Sequence, residues 1–211
     1  MLEIELKKEK LTLLGEKGII WEKHQLLLIA DLHLGKANHF RRSGIAVPSK
    51  SNDQNIERLI SLLQEERIER VLFMGDLFHS HYNPSWEDFG TFINSFPEIT
   101  FDLVIGNHDI MSEHQYTKYG INIYKDPLTI GPFIISHEPM ETFDGYNLAG
   151  HIHPGVVLRG KARQGIRLPC FHFGDKQGLL PAFGEFTGLH KLSIKKSDKV
   201  FPIVEGKVLA V

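Results

Sequence analysis

Val71-Leu-Phe-Met-Gly-Asp-Leu-Phe-His79 is the stretch whose reading decides the fold. An apolar run stops at a glycine, and a carboxylate follows at once. The run predicts a buried strand, and Gly75 lets the backbone turn sharply where that strand ends. A carboxylate at the end of a buried strand is costly unless something neutralises it. Asp76 is therefore expected to lie between two metal ions.

The same punctuation recurs along the chain. Leu26-Leu-Leu-Ile-Ala30 runs into Asp31-Leu-His33, and Phe101-Asp-Leu-Val-Ile105 runs into Gly106-Asn-His-Asp109. Pro132-Phe-Ile-Ile135 precedes Ser136-His-Glu138, and Asn147-Leu-Ala-Gly150 precedes His151-Ile-His153. In open α/β sheets ligands gather at the carboxyl ends of strands, so five such endings point to one shared site, provided the strands lie side by side. Between the first two endings, Ile56, Leu59, Ile60 and Leu63 form an apolar stripe that predicts a helix entered around Ser51 to Asp53. Ser85-Trp-Glu-Asp88 reads as a capping-box variant opening a second helix with Trp86, Phe89, Ile93 and Phe96 on one side. A short helix over 112–119 is expected to stop at Gly120. A hairpin turns at Gly15-Glu-Lys-Gly18. Strand-like segments cover 156–159, 166–173 and 189–194, and a last hairpin turns at Glu205-Gly206.

Composition bounds the rest. The 211 residues carry a net charge of -2, so no global basic field calls for nucleic acid or membrane. This length suits one domain over residues 1–211. Twelve histidines direct attention to metal or proton chemistry. Cys170 is the only cysteine, which excludes an internal disulfide and reads as a packed thiol of a reducing compartment. The apolar runs are too short to span a bilayer, and the N-terminus alternates apolar and charged residues. A cytoplasmic protein without a membrane partner is expected, and its oligomeric state is not legible.

The strand-end residues define a chemistry. The i, i+2 spacings of Asp31 with His33 and of His151 with His153 would put each pair on one face of an extended backbone. Asp76 offers two carboxylate oxygens, Asn107 an amide oxygen, and His137, His151 and His153 imidazoles. Hard oxygens mixed with imidazole nitrogens suit manganese, iron or zinc better than calcium or magnesium. Two such ions about 3.5–4 Å apart clamp a phosphate ester and activate a bridging water. His108 is the candidate general acid, with Asp109 placed to orient its ring.

In this order, Asp31-x-His33, Gly75-Asp76, Gly106-Asn-His-Asp109, His137 and Gly150-His-Ile-His153 resemble the motif set of the calcineurin-like metallophosphoesterase superfamily. The resemblance implies an α/β (α+β) fold, a four-layer α/β/β/α sandwich of two mixed sheets flanked by helices. It also implies that one metal takes Asp31, His33, Asp76 and His153, and that the other takes Asp76, Asn107, His137 and His151. A narrower resemblance rests on Asp31-Leu-His-Leu-Gly-Lys36, His39-Phe-Arg41, Gly44-Ile-Ala-Val-Pro48, Gly75-Asp-Leu-Phe-His79 and Leu180-Pro-Ala-Phe-Gly-Glu-Phe-Thr-Gly188. These are similar to the bacterial ligase-associated DNA damage response endonuclease family, PdeM. That likeness implies a manganese-dependent phosphodiesterase or nuclease acting in DNA repair beside a DNA ligase, a helicase and an exonuclease. A phosphomonoesterase or nucleotide pyrophosphohydrolase on the same site is the first rival, and a non-catalytic scaffold the second.

Lys36, His39, Arg41 and Arg42 follow the first motif closely and would hold a phosphate backbone if their loop folds over the site. Arg159, Lys161, Arg163 and Arg167 form a second basic cluster that also reads as an exposed hairpin. His79 is placed to touch the leaving group or to orient a ligand.

Overall fold

Along Arg70–Met74 successive side chains point to opposite sides, and both sides are apolar. Val71 and Phe73 enter one buried cluster, while Leu72 and Met74 enter another. A strand covered on both faces must sit inside a layered structure. The computed structural model describes residues 1–36, 51–79, 81–159, 165–185 and 187–210.

The first sheet runs in order β1 (Leu2–Leu6), β2 (Glu9–Leu13), β3 (Ile19–Trp21), β4 (Leu26–Ile29), β5 (Arg70–Met74), β6 (Thr100–Val104) and β7 (Asn122–Tyr124). It is antiparallel up to β4 and parallel from there on. Parallel neighbours need crossovers, and these are α1 (Ser51–Glu65), α2 (Pro84–Asn94) and α3 (Glu113–Thr117). Leu59, Leu62 and Leu63 of α1, Trp86, Phe89 and Phe92 of α2 and Tyr116 of α3 close over Leu27, Ile29, Val71, Phe73, Phe101 and Leu103.

The second sheet contains β8 (Leu128–Ile130), β9 (Phe133–Ser136), β10 (Tyr146–Ala149), β11 (Pro154–Arg159), β12 (Gly165–Phe173), β13 (Gln177–Leu179), β14 (His190–Lys191), β15 (Lys199–Val204) and β16 (Lys207–Val208). Its order is β14-β11-β12-β13-β10-β9-β8, with β15 paired to β12 and β16 to β15. Phe133, Ile135, Tyr146, Leu148, Phe171 and Phe173 face Leu28, Ala30, Leu72, Met74 and Val104 of the first sheet. Two mixed sheets flanked by helices thus make the expected α/β/β/α sandwich. The five polar strand endings do not come from one row of neighbours. Three follow β4, β5 and β6 of one sheet, and two follow β9 and β10 of the other.

Other local expectations change too. The second helix is capped by Asn83 rather than Ser85: its side-chain oxygen accepts the Ser85 N–H at 3.0 Å, and Pro84 occupies the first turn. The strand expected over 189–194 shortens to β14. The three-residue strands β7, β8 and β13 carry too little alternation to be read beforehand. Cys170 is fully buried, and burial pushes its thiol up to about 12. His172 is held by Asp198, with Nε2 3.0 Å from Oδ2. Among the described residues no helix is long and apolar enough to cross a membrane.

Candidate metal centre

Beyond their ends β4 and β5 stay zipped together. His33 N–H donates to the Asp76 carbonyl (2.8 Å), Leu34 N–H to that of Leu77 (3.0 Å), and His79 N–H to that of Leu34 (2.8 Å). This locks two of the polar endings side by side. The second sheet is stitched to them where the His151 N–H donates to Asp31 Oδ2 at 2.8 Å. Asp31, His33, Asp76 and His137 are all buried.

Asp31, His33, Asp76, His151 and His153 have φ of 54°, 48°, 52°, 63° and 50°. The extended geometry expected for the Asp31/His33 and His151/His153 pairs is therefore replaced by the left-handed region. The other described non-glycine residues there, Lys7, Lys8, Lys17, Gln25 and Glu205, lie at turns or at a 3₁₀-helix end. Each such conformation costs of order 1–3 kcal/mol, so the five at the site together rival the about 5–15 kcal/mol net stability of a domain. Five such residues gathered at the polar strand ends, away from ordinary turns, mark a functional constraint. The left-handed geometry keeps Asp31 and His33 together but sends His151 and His153 to different places. Asp31, His33 and His153 form one cluster of ligand-type atoms within 4.8 Å of one another, and Asp76, His137 and His151 form another.

Asp76 spans the two. Its Oδ2 lies 3.6 Å from His33 Nε2, and its Oδ1 lies 3.4 Å from His137 Nε2 while accepting the His108 N–H at 2.9 Å. His137 Nδ1 is 3.1 Å from the Met74 carbonyl, an acceptor only, so Nδ1 carries the hydrogen. In the neutral ring Nε2 is then a lone pair, and it meets Asn107 Oδ1 at 2.9 Å, His151 Nδ1 at 3.1 Å and Asp76 Oδ1 at 3.4 Å. Of these neighbours only His151 Nδ1 can supply a hydrogen. On the other side His33 Nε2 faces His153 Nε2 at 3.4 Å, and buried Asp31 Oδ1 has no hydrogen-bond partner. Converging lone pairs repel unless a cation sits among them, and carboxylate, amide and imidazole donors suit a transition-metal ion. The residues fit two such ions.

Glycines make this closeness possible. At Gly75 (φ +77°) a Cβ would lie 2.3 Å from His137 Nδ1, and at Gly106 one would lie 2.3 Å from the Asp76 backbone nitrogen. Gly75→Ala is thus expected to displace His137 and cost about 1–3 kcal/mol. Isothermal titration with Mn²⁺ is expected to record a roughly 10–100-fold weaker affinity, the range of other changes that disturb a ligand's support. Unchanged affinity would mean that His137 is not held where it matters.

The remaining residues divide. His108 keeps its side chain 43% exposed, with Nε2 4.0 Å from Asp76 Oδ2. Asp109 does not orient that ring. Its two oxygens accept the N–H groups of Phe78 (3.2 Å) and Gly106 (2.9 Å), tying two loops together, and burial pushes its carboxyl up to about 7. His79, half-buried, stands against both His33 and His108: its Nδ1 is 3.1 Å from His33 Nδ1 and its ring centroid is 4.0 Å from that of His108. Burial holds His33 well below the ordinary imidazole value, with Lys36 adding to the effect. Burial also lowers Lys36, against the opposing pull of Asp76 and Asp31. His39, Arg41 and Arg42 lie outside the described residues, as do Lys161 and Arg163. One supporting residue went unread: Asn55, on the buried side of α1, donates to the Leu32 carbonyl (3.4 Å) and accepts from Arg58 (2.7 Å). Its signal was a polar residue at helical spacing from Leu59 and Leu62.

A family model described as calcineurin-like phosphoesterase matches residues 24–202. Among solved structures, the nuclease MPE of Pseudomonas putida is 28% identical, covers 100% of this chain and 99% of its own, and superposes at a TM-score of 0.83. The phosphoesterase Yfce from E. coli is 13% identical at a TM-score of 0.49, over 88% of this chain and 96% of its own. No curated protein matches the chain.

Proposed function

The chain belongs to the calcineurin-like phosphoesterases, and from that premise we propose that it is a binuclear metal-dependent phosphodiesterase whose substrate is DNA. One observation carries the two-metal reading: the oxygens of Asp76 face separate clusters, Oδ2 toward His33 and Oδ1 toward His137. Asp31, His33, Asp76 and His153 would hold one ion; Asp76, Asn107, His137 and His151 would hold the other. Manganese is the expected metal, with iron and zinc as the other choices. The nucleic-acid substrate is supported by the full-length likeness to a nuclease.

Bound metal ions would supply a hydroxide at neutral pH and positive charge for the phosphoryl oxygens. The chain's own groups do the rest. The Met74 carbonyl fixes the His137 tautomer so that Nε2 faces the centre. His79 braces His33 through their Nδ1 atoms. Asp109 fixes the turn that carries Asn107 and His108. His108 is exposed enough to reach substrate and donates a proton to the departing oxygen. Lys36, whose charge is favoured by Asp76 and Asp31 against its own burial, is the described cation that would meet the substrate phosphate.

The test is metal-stripped protein reloaded with Mn²⁺, Fe²⁺, Zn²⁺ or Mg²⁺ and offered circular single-stranded DNA, circular duplex, linear DNA, a nucleotide and a phosphomonoester. Cleavage of DNA restored best by Mn²⁺ is expected. Monoester turnover well above diester turnover would move the assignment to the rival substrate class, and inactivity with every metal would overturn it.

A further inference from the structure

The nucleic-acid reading leaves open what grips the bases, and this inference rests on that reading. Six large apolar side chains are exposed among the described residues, and two stand on the loops that carry the His79–His108 ring pair. Tyr82, 53% exposed, follows His79 by three positions, and Ile110, 57% exposed, follows His108 by two. Chain geometry keeps their Cα atoms within about 11 Å and about 7 Å of those histidines' Cα atoms.

A lone exposed hydrophobic needs no explanation, but Tyr82 is fixed in a way that surface filling does not require. Its hydroxyl donates to Glu87 Oε1 at 2.6 Å. The same carboxylate accepts from the Tyr119 hydroxyl (2.5 Å) and the Lys118 ammonium (3.0 Å). Those three hydrogen bonds, Tyr119's foremost, draw the Glu87 carboxyl down to about 2. The Lys118 ammonium lies 5.3 Å from the Tyr82 ring centroid and 4.6 Å from that of Tyr119. Glu87 itself sits in the first turn of α2, anchored by the Asn83 cap and by Trp86 and Phe89 in the core. The side chain is thus tethered at its hydroxyl and flanked by a cation, while the residue stays about half exposed. Fixing an exposed side chain costs rotamer entropy with little burial in return, unless the open surface has an occupant.

We propose that Tyr82 is a stacking platform for a nucleobase on the His108 side of the scissile phosphate, with Ile110 as an apolar contact on the facing loop. Aromatic faces accept any base, so the platform positions single-stranded substrate without reading its sequence. A tyrosine held at its hydroxyl has few torsions left to freeze when the base arrives.

Two measurements test this, one of them independent of turnover. The native tryptophans, Trp21 and Trp86, are fully buried, so the exposed indole introduced by Tyr82→Trp is a clean reporter. In EDTA its fluorescence is expected to quench on titration with oligothymidylate, but not with an abasic oligonucleotide of equal length and charge. With Mn²⁺, Tyr82→Ala is expected to raise KM for base-bearing DNA by about 10-fold or more, the scale of one lost base stack, and to leave the abasic strand unchanged. Tyr82→Phe loses only the Glu87 tether and is expected to stay within a few-fold of the parent. Equal quenching by both strands, or equal KM changes on both, would overturn the platform. Quenching without cleavage by any form would uphold the platform and count against the phosphodiesterase reading instead.

Discussion

Asp76→Asn is expected to lower DNA cleavage on the order of 10³-fold, the scale of losing a group that organises transition-state charge, and to do so asymmetrically. The amide is nearly isosteric, but only one of its two heavy atoms still accepts. The His108 N–H, 2.9 Å from Oδ1, requires an acceptor there. The amide oxygen therefore takes the Oδ1 position, and the NH₂ group turns toward His33 Nε2, 3.6 Å from Oδ2. The cluster of Asp31, His33 and His153 loses its shared ligand and gains hydrogens pointing into it, while the cluster of Asn107, His137 and His151 keeps an oxygen. Metal analysis of the purified variant is expected to find about one equivalent per chain instead of about two. Without metal the sign reverses for stability. Asp76 is a buried charge among lone pairs, so the variant in EDTA is expected to melt no lower than the parent, and higher if desolvation dominates. A variant that keeps parental turnover, or holds two metals, would remove Asp76 from the shared position.

How much of this was legible beforehand depended on whether a signal was local. β4, β5, β6, β9 and β10 are short apolar runs ended by polar bursts, and each run lies within a residue or two of its strand. The stripes of α1 and α2 are local in the same sense. What the sequence could not carry was the pairing between distant segments. The i, i+2 rule presumes extended backbone, whereas contacts such as His151 N–H to Asp31 Oδ2 hold these residues left-handed; Asp31 and His33 still meet in one cluster, but His151 and His153 part to separate ones. Asp109 was misread for the same reason. Adjacency to His108 suggested a ring partner, but the donors that claim its oxygens are backbone amides, one of them from Phe78 on another strand's loop. Gly75 was visible as a turn and Gly106 as the start of a polar burst. That they also leave room for His137 and for the Asp76 backbone follows only from the packing of the two sheets.

His108→Ala is expected to split substrates by leaving group. A sugar alkoxide is a poor leaving group and needs a proton as the phosphorus–oxygen bond breaks, a service worth roughly 10²–10⁴-fold. A nitrophenolate departs without one. The variant should therefore lose about 10²–10⁴-fold in kcat on DNA yet remain within a few-fold of the parent on a p-nitrophenyl diester. The geometry allows this split. The His108 ring is 43% exposed, and its Nε2 is 4.0 Å from Asp76 Oδ2. The link to the buried centre is its backbone N–H, which alanine retains. Metal content should be unchanged for the same reason. His79 packs its ring against His108 at 4.0 Å and shares a short nitrogen contact with His33, so removing His108 frees one face of His79 without cutting its tie to His33. If His108→Ala lowers both substrates equally, the ring shapes the metal centre rather than delivering a proton. If it lowers neither, the proton for the leaving oxygen comes from elsewhere, and the exposed face of His79 becomes the next group to test.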